Sequence, residues 1–244
     1  MNATLTLATA RRILTQLRHD HRTVAMMVLV PSLLMILLRY VFNSEQAFSA
    51  AAPALLAVFP FAIMFIVTSI TTLRERTTAT LERLMTMPIA KLDLLFGYAI
   101  AFGVVAVLQV LVATGISLTW LGLEIDGSVW LLVLIAVLDA LLGTALGLLA
   151  SAFARTEFQA VQFMPAIVMP QVLLCGLFAP RDSMTPVLEW LSNVMPLSYA
   201  VDALAQVTQT SDVDGTLLRN LVIVAGCGLL ALVLGAATLR RRTP

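Results

Sequence analysis

The sequence predicts an all-α membrane protein with six transmembrane helices, and three observations predict it. Apolar residues make up 60% of the chain and charged residues 12%, against about 45–50% and about 25% in soluble domains. Six apolar runs are long enough to cross a bilayer, which takes about 20 residues at about 1.5 Å each. The cations gather on one side of those runs, as the positive-inside rule requires. A soluble domain of 244 residues, with mean hydropathy +0.96, has too little interior to hide this much apolar surface. The runs are continuous, whereas a membrane β-strand alternates polar and apolar residues over about ten positions.

Taken in order, the chain first offers an amphipathic helix over Thr4–Arg22. Leu7, Ala10, Leu14 and Leu17 recur at helical spacing, with Arg11, Arg12, Arg18 and Arg22 around them. Such a helix lies in the interface, its arginines reaching anionic headgroups. The other reading is an ordinary basic flank that is helical. Span 1 follows at Val24–Val41. Its Arg-rich lead and the stretch Ser49-Ala50-Ala51-Ala52 imitate a secretory leader. However, the run has 18 residues, longer than the about 7–15 of a cleaved leader, so it is expected to be retained. Span 2 is Ala54–Leu73. Span 3, Leu94–Leu121, has 28 residues and must tilt or protrude. Span 4 is Val129–Phe153. Span 5, Ala160–Phe178, contains Pro165 and Pro170. Span 6 is Leu217–Leu239.

Two segments between spans are neither spans nor plain loops. Between spans 2 and 3, Arg74–Leu95 alternates charge signs and sets Leu81, Leu84 and Met85 at helical spacing, until Pro88 breaks the pattern before Lys91 and Asp93. A short helix with an apolar stripe and a charged rim suits docking into a groove on a soluble partner. It equally suits a connector resting on the membrane surface. Between spans 5 and 6, Ala179–Thr216 is too long for a plain loop and is apolar, with Pro186 and Pro196 as punctuation. It reads as a helical hairpin dipping into the outer leaflet, with Trp190 and Tyr199 at the interface, or as a small external cap. The chain then divides as one membrane domain over 1–244: an interfacial helix at 1–23, spans 1–5 at 24–178, the external segment at 179–216, and span 6 with a basic tail at 217–244.

Orientation follows from the charges. The N-terminal segment, the 2–3 loop, Arg155 and the C-terminal Arg240, Arg241 and Arg242 together hold 12 of the 15 cations. The other side has Arg39, Arg181 and Arg219 among a majority of acids. Both termini are therefore expected in the cytoplasm, which requires an even number of spans.

Asp139 stands about ten residues into span 4. A central Asp costs about 2.5–3.5 kcal/mol on insertion scales, so it must face protein or water. Gly143, Gly147 and Ser151 continue its face, which is where helices approach closely. A buried packing group and a cation or proton site both fit. Gln109 and Thr114 in span 3, Thr68 and Ser69 in span 2, and Gln171 in span 5 are its candidate partners or the lining of a path.

Catalytic signatures are missing from the sequence. It contains no G-x-x-x-x-G-K-[ST], no H-E-x-x-H and no G-x-S-x-G, and both histidines, His19 and His21, lie before span 1. Cys175 and Cys227 sit in apolar runs without ligand spacing and read as small core residues. A net charge of +1 excludes a nucleic-acid-binding character. No metal site is expected.

The order of spans and two motifs resemble the type-2 permeases of ATP-binding-cassette (ABC) exporters, the daunorubicin-resistance type being the nearest subgroup. The first motif, E-R/K-x-x-G-T-L-E-x-L-x-x-x-P, is matched by Glu75, Arg76, Thr80, Leu81, Glu82, Leu84 and Pro88, with Ala79 in place of Gly. The second is matched by Gly176, Phe178, Pro180, Pro186, Trp190, Pro196 and Tyr199, with Cys175 in place of Ser and Met195 before Pro196. The resemblance implies a half-transporter without ATPase activity, paired with a second permease, identical or related, and with two separate ATPase subunits that use ATP and Mg. It implies that Glu75–Pro88, Arg83 included, is the coupling helix seated in an ATPase groove, assisted by the N-terminal helix around Arg11, Arg12, Leu14 and Arg18. It also implies a path between the two permeases near spans 1, 2 and 5, and export of an amphipathic drug, antibiotic or lipid from a bacterial plasma membrane. A lipid-linked glycan or polysaccharide is the alternative cargo. From another class, a proton-coupled carrier working through Asp139 is the alternative mechanism.

Overall fold

Residues 2–77 and 90–238 are described by a computed structural model. Asn2 caps the first helix, α1 (Ala3–His19), its side-chain oxygen accepting from the Thr4 amide at 3.1 Å. Asp20 then ends α1 and caps α2 (His21–Phe42), accepting from the Thr23 amide at 3.2 Å and hydroxyl at 2.6 Å. These bonds hold the Asp20 carboxyl below its ordinary pKa. One acidic residue thus makes the corner between the two helices. Asn43, in the left-handed region at φ 47°, turns the chain into α3 (Glu45–Thr77).

Helix α3 begins nine residues before the predicted span and runs through Pro53 and Pro60. Next come α4 (Lys91–Thr119), α5 (Val129–Ser151) and α6 (Glu157–Leu174). A single 3-10 turn at Arg181–Ser183 precedes α7 (Pro186–Val194) and α8 (Pro196–Gln209), and α9 (Gly215–Thr238) closes the described chain. Proline at the first position of α7 and of α8 starts each helix with φ already set and no lost hydrogen bond. No strand occurs among the described residues.

Helices α2, α3, α4, α5 and α9 are long and apolar enough to cross a membrane. Against the six spans that the sequence predicts, the described residues therefore supply five. The fifth predicted span is α6, with 18 residues, a reach of about 27 Å. Glu157, Gln159, Gln162 and Gln171 dilute its apolar character.

Helices α3 and α5 form the centre of the bundle. Their apolar stretches are 67% and 61% buried inside the chain, against 28% for α2 and α9. They make the most extensive helix pair in the molecule, and glycine is the reason. A Cβ at Gly143 would collide with the Phe61 carbonyl oxygen, and one at Gly147 would sit 2.5 Å from that of Phe65. Small residues at four-residue steps let the backbones touch, which is how helices associate where lipid removes any hydrophobic drive between them. Helices α2 and α6 flank α3, while α4 and α9 pack along α5.

Bulk at these glycines should force the central pair apart. Gly143→Leu or Gly147→Leu is expected to cost about 3 kcal/mol or more, seen as loss of the folded species in thermal unfolding in detergent. Gly226→Leu, where an added Cβ meets nothing within 4 Å, should leave the transition in place. Equal behaviour of the three variants would refute the close approach.

Candidate functional site

The first candidate site lies where α3 ends and the segment 78–89 begins. The last turn of α3 is held on three sides. Arg74 donates to both carboxylate oxygens of Glu157 at the start of α6, at 3.1 and 3.4 Å. Arg76 donates to the Ser151 carbonyl at the end of α5. Glu75 accepts from Arg12 of α1 at 2.9 Å and from the hydroxyl of Tyr98 of α4, and Arg12 also donates to that hydroxyl at 3.2 Å. Four helices are thereby tied to one turn.

The contacts differ in weight. Arg74 and Glu157 are both more than half exposed, so water screens their attraction and the pair contributes little. The Arg12 and Glu75 side chains retain only 28% and 12% of their exposure, and Tyr98 is fully buried. Charges this far out of water interact strongly and cannot be separated cheaply.

On the other flank of segment 78–89, the first turn of α4 is tied to α1 as well. Asp93 is buried and accepts from the Asn2 amide at 3.0 and 3.1 Å and from the Thr6 hydroxyl at 3.4 Å. One turn further, Gly97 lets α1 lie directly on α4, since a Cβ there would sit 2.6 Å from that of Thr9. The short helix α1 is thus clamped to both helices that flank the segment.

Two expectations about α1 are corrected. Arg12 does not reach outward to headgroups but turns inward to Glu75, because a buried carboxylate needs a cation more than the lipid surface does. The buried face is Thr6, Thr9, Ala10, Ile13 and Leu17, whereas Leu7 of the predicted stripe is 60% exposed. Arg11 and Arg18 are exposed and Leu14 is half-buried. Leu81, Glu82, Arg83, Leu84 and Pro88, expected in the coupling helix, lie outside the described residues.

Among the intramembrane polar residues, Asp139 is fully buried on the α5 face that continues to Gly143 and Gly147. The partners suggested for it do not meet it. Among the described residues, neither Asp139 nor Gln109 has a hydrogen-bond partner for its side chain, and the hydroxyls of Thr68, Ser69 and Thr114 have none. Gln171 folds back onto its own helix, donating to the Ile167 carbonyl at 3.0 Å. Thr68 and Ser69 are fully buried, so neither lines an open path in a single chain.

At the opposite end of the bundle, Arg181 organises the segment after α6. It donates from Nε to the Ser192 hydroxyl at 2.8 Å, to Asp202 and to the Asn193 side chain, and it lies 5.5 Å from the Tyr199 ring centroid. The Tyr199 hydroxyl donates to the Asn193 carbonyl at 2.6 Å, and Ser192 donates to the Leu174 carbonyl at 2.7 Å. Burial raises the Asp202 carboxyl above its ordinary pKa, and the Arg181 guanidinium offsets part of the effect. Gly176, at φ 98°, makes the turn out of α6, Pro180 precedes the 3-10 turn and Pro196 opens α8. Helix α8 is buried against α3, α5 and α9, while α7 leaves Val187, Trp190 and Val194 exposed. Sequence reading missed Arg181, Asp202 and Asn193, as well as Asp93 and Tyr98. Each makes its contact across a separation in sequence that no local pattern marks.

Residues 4–208 match the ABC-2 type transporter family. Over 191 residues the chain is 27% identical to the probable multidrug ABC transporter permease YbhS of Escherichia coli, covering 78% of this chain and 51% of that protein. It is 28% identical over 155 residues to the probable multidrug ABC transporter permease YbhR of the same organism, covering 64% and 42%. It is 26% identical over 156 residues to ABC transporter G family member 20 of Dictyostelium discoideum, covering 64% and 21%. The chain therefore spans about half the length of these relatives, or less.

The clamp on α1 predicts energetic coupling. Arg12→Ala and Glu75→Ala should each lower stability by about 2 kcal/mol, between the values for exposed and buried pairs. The double variant should lose less than the sum by about 1 kcal/mol or more. Unfolding curves of the four proteins measure this, and strict additivity would mean that the pair does not interact.

Proposed function

The chain belongs to the ABC-2 type transporter family, and on that premise we propose that it is the membrane-spanning subunit of an ATP-driven exporter. ATP and Mg are used by a separate subunit, and this chain receives mechanical work. The observation that carries the reading is the clamp of α1 onto the last turn of α3 and the first turn of α4. Segment 78–89 joins those two turns. A partner pressing on it would move α1, α3 and α4 as one body, since Glu75, Arg12, Tyr98 and Asp93 hold them together. Loosely attached helices would absorb the same displacement in side-chain motion.

In this reading the segment from Glu75 to Pro88 is the coupling helix, and α1 is its brace rather than an independent membrane anchor. Helix α6 completes six crossings, with both termini on the partner's side, and α7–α8 form the re-entrant hairpin. A second permease, identical or related, faces α2 and α6 on either side of α3. The path runs between the two chains, near α2, α3 and α6. The cargo is an amphipathic small molecule of the drug, antibiotic or lipid class, as in a daunorubicin-resistance-type system.

A second mechanism, proton coupling through Asp139, draws on one observation, its complete burial without a hydrogen-bond partner among the described residues. Coupling by ATP and coupling by protons separate cleanly in reconstituted vesicles.

An ATPase subunit should co-purify with the chain, and substrate efflux should require ATP. Glu82→Ala combined with Arg76→Ala should lower efflux and substrate-stimulated ATP turnover by about tenfold or more, the equivalent of about 1.4 kcal/mol of coupling. Unchanged efflux in that variant, or efflux driven by an imposed proton gradient without ATP and abolished by Asp139→Asn, would reverse the assignment.

A further inference from the structure

A cleft of about 380 Å³ opens at the end of the bundle remote from α1, between the 3-10 turn, α7, α8 and the start of α9. One wall is the Arg181–Tyr199 stack, fixed by Ser192, Asn193 and Asp202 as described above. Its charge is already balanced by Asp202. Arg219 also lines the cleft; it is exposed and makes no hydrogen bond or ion pair among the described residues, although its charge acts on Asp202 as well. Asp182 and Glu189 also line the cleft, and their carboxylates accept no hydrogen bond among the described residues. Ile223 is the apolar residue of the lining. The cleft thus offers one cation and two anions without hydrogen-bonded partners among the described residues, beside one apolar side chain.

That charge set selects a class of ligand. A simple anion attracted to Arg219 would be repelled by Asp182 and Glu189, and a simple cation would meet the reverse. A molecule carrying a phosphate and an ammonium a few bonds apart satisfies both. Guanidinium is the group best matched to phosphate, giving paired, charge-assisted hydrogen bonds.

Depth selects the source. Helix α9 has 24 residues, a length of about 36 Å against about 30 Å of hydrocarbon. Arg219 is one turn in from its start and Ile223 one turn deeper, so a helix of this length centred in the bilayer would hold Arg219 near the boundary between headgroups and hydrocarbon. Trp190, next to Glu189, is 67% exposed, as befits an interfacial aromatic. We propose that this cleft binds the zwitterionic headgroup of a phospholipid. The phosphate sits on Arg219, the ammonium sits between Asp182 and Glu189, and the acyl chains run past Ile223 along α9.

The test uses the purified full chain, delipidated in detergent and offered phosphatidylethanolamine or phosphatidylglycerol, with retained lipid counted by native mass spectrometry. Phosphatidylethanolamine should be retained about tenfold over phosphatidylglycerol, as paired charge contacts at both ends of one headgroup imply. That preference should vanish in the double variant Asp182→Asn, Glu189→Gln, whereas Arg219→Gln, which removes the contact to the phosphate common to both lipids, should lower retention of both about tenfold, and Arg219→Lys should restore it in part. Both altered walls are exposed, and circular dichroism checks that each variant stays helical. Equal retention of the two lipids by the unaltered chain, a preference that survives in the double variant, or undiminished retention in Arg219→Gln overturns the proposal. Soluble O-phosphoethanolamine, which has the same two charges without acyl chains, should fail to displace the lipid at equal concentration. Displacement would assign the cleft to a soluble ligand instead of the membrane.

Discussion

The Arg12–Glu75 pair is the constraint on which the α1 end of the molecule depends. Glu75 lies in the last turn of a helix whose preceding turns are apolar, and its carboxylate is mostly withdrawn from water. Left alone there, it would cost several kcal/mol. Its partners come from two other helices, so satisfying one charge fixes the positions of three elements. Asp93 repeats the device on a smaller scale, drawing the first residues of α1 onto α4 through the Asn2 amide and the Thr6 hydroxyl. An amphipathic helix that could have floated on the membrane surface is in this way made part of the bundle.

The interior is organised by close approach rather than by polar bonds. Gly143 and Gly147 bring α5 against the backbone of α3, and the polar residues nearby, Asp139 and Gln109 among them, do not pair with one another. In a lipid environment this ordering is expected. Backbone contact at small residues gains dispersion energy along the whole length of two helices, while each isolated polar group contributes at one point only. The remote end works the other way. There Arg181 collects a hydroxyl, a carboxylate, an amide and an aromatic ring, and a segment without transmembrane length is held in one arrangement by polar contacts.

The same groups therefore carry different duties at the two ends. At the α1 end, charges join the helices that flank segment 78–89. At the other end, they shape a cleft at the level where a headgroup would lie. The apolar faces of α2 and α6, on either side of α3, remain largely uncovered by the chain itself, and lipid or a second permease can satisfy them equally well on hydrophobic grounds.

Much of the fold was legible in the sequence. Each predicted apolar run holds a helix whose ends fall within about four residues of expectation, except that α3 starts nine residues early. Hydropathy is a local property, and a bilayer of fixed thickness converts it directly into helix position. The early start escaped notice because Pro53 and the polar residues before it look like a boundary, yet the neighbouring helices support the turns that proline weakens. The charged motif that includes Glu75 and Arg76 and the glycine steps after Asp139 were also visible, since they depend on spacing along one chain. What tertiary structure alone decided was who meets whom. It turned Arg12 inward, made Tyr98 and Asp93 part of the α1 clamp, set Arg181 between Asp202 and Tyr199, and left Asp139 without the partners suggested for it. Those outcomes depend on the angle and rotation of one helix against another, and many weak packing contacts between sequence-distant residues settle them together.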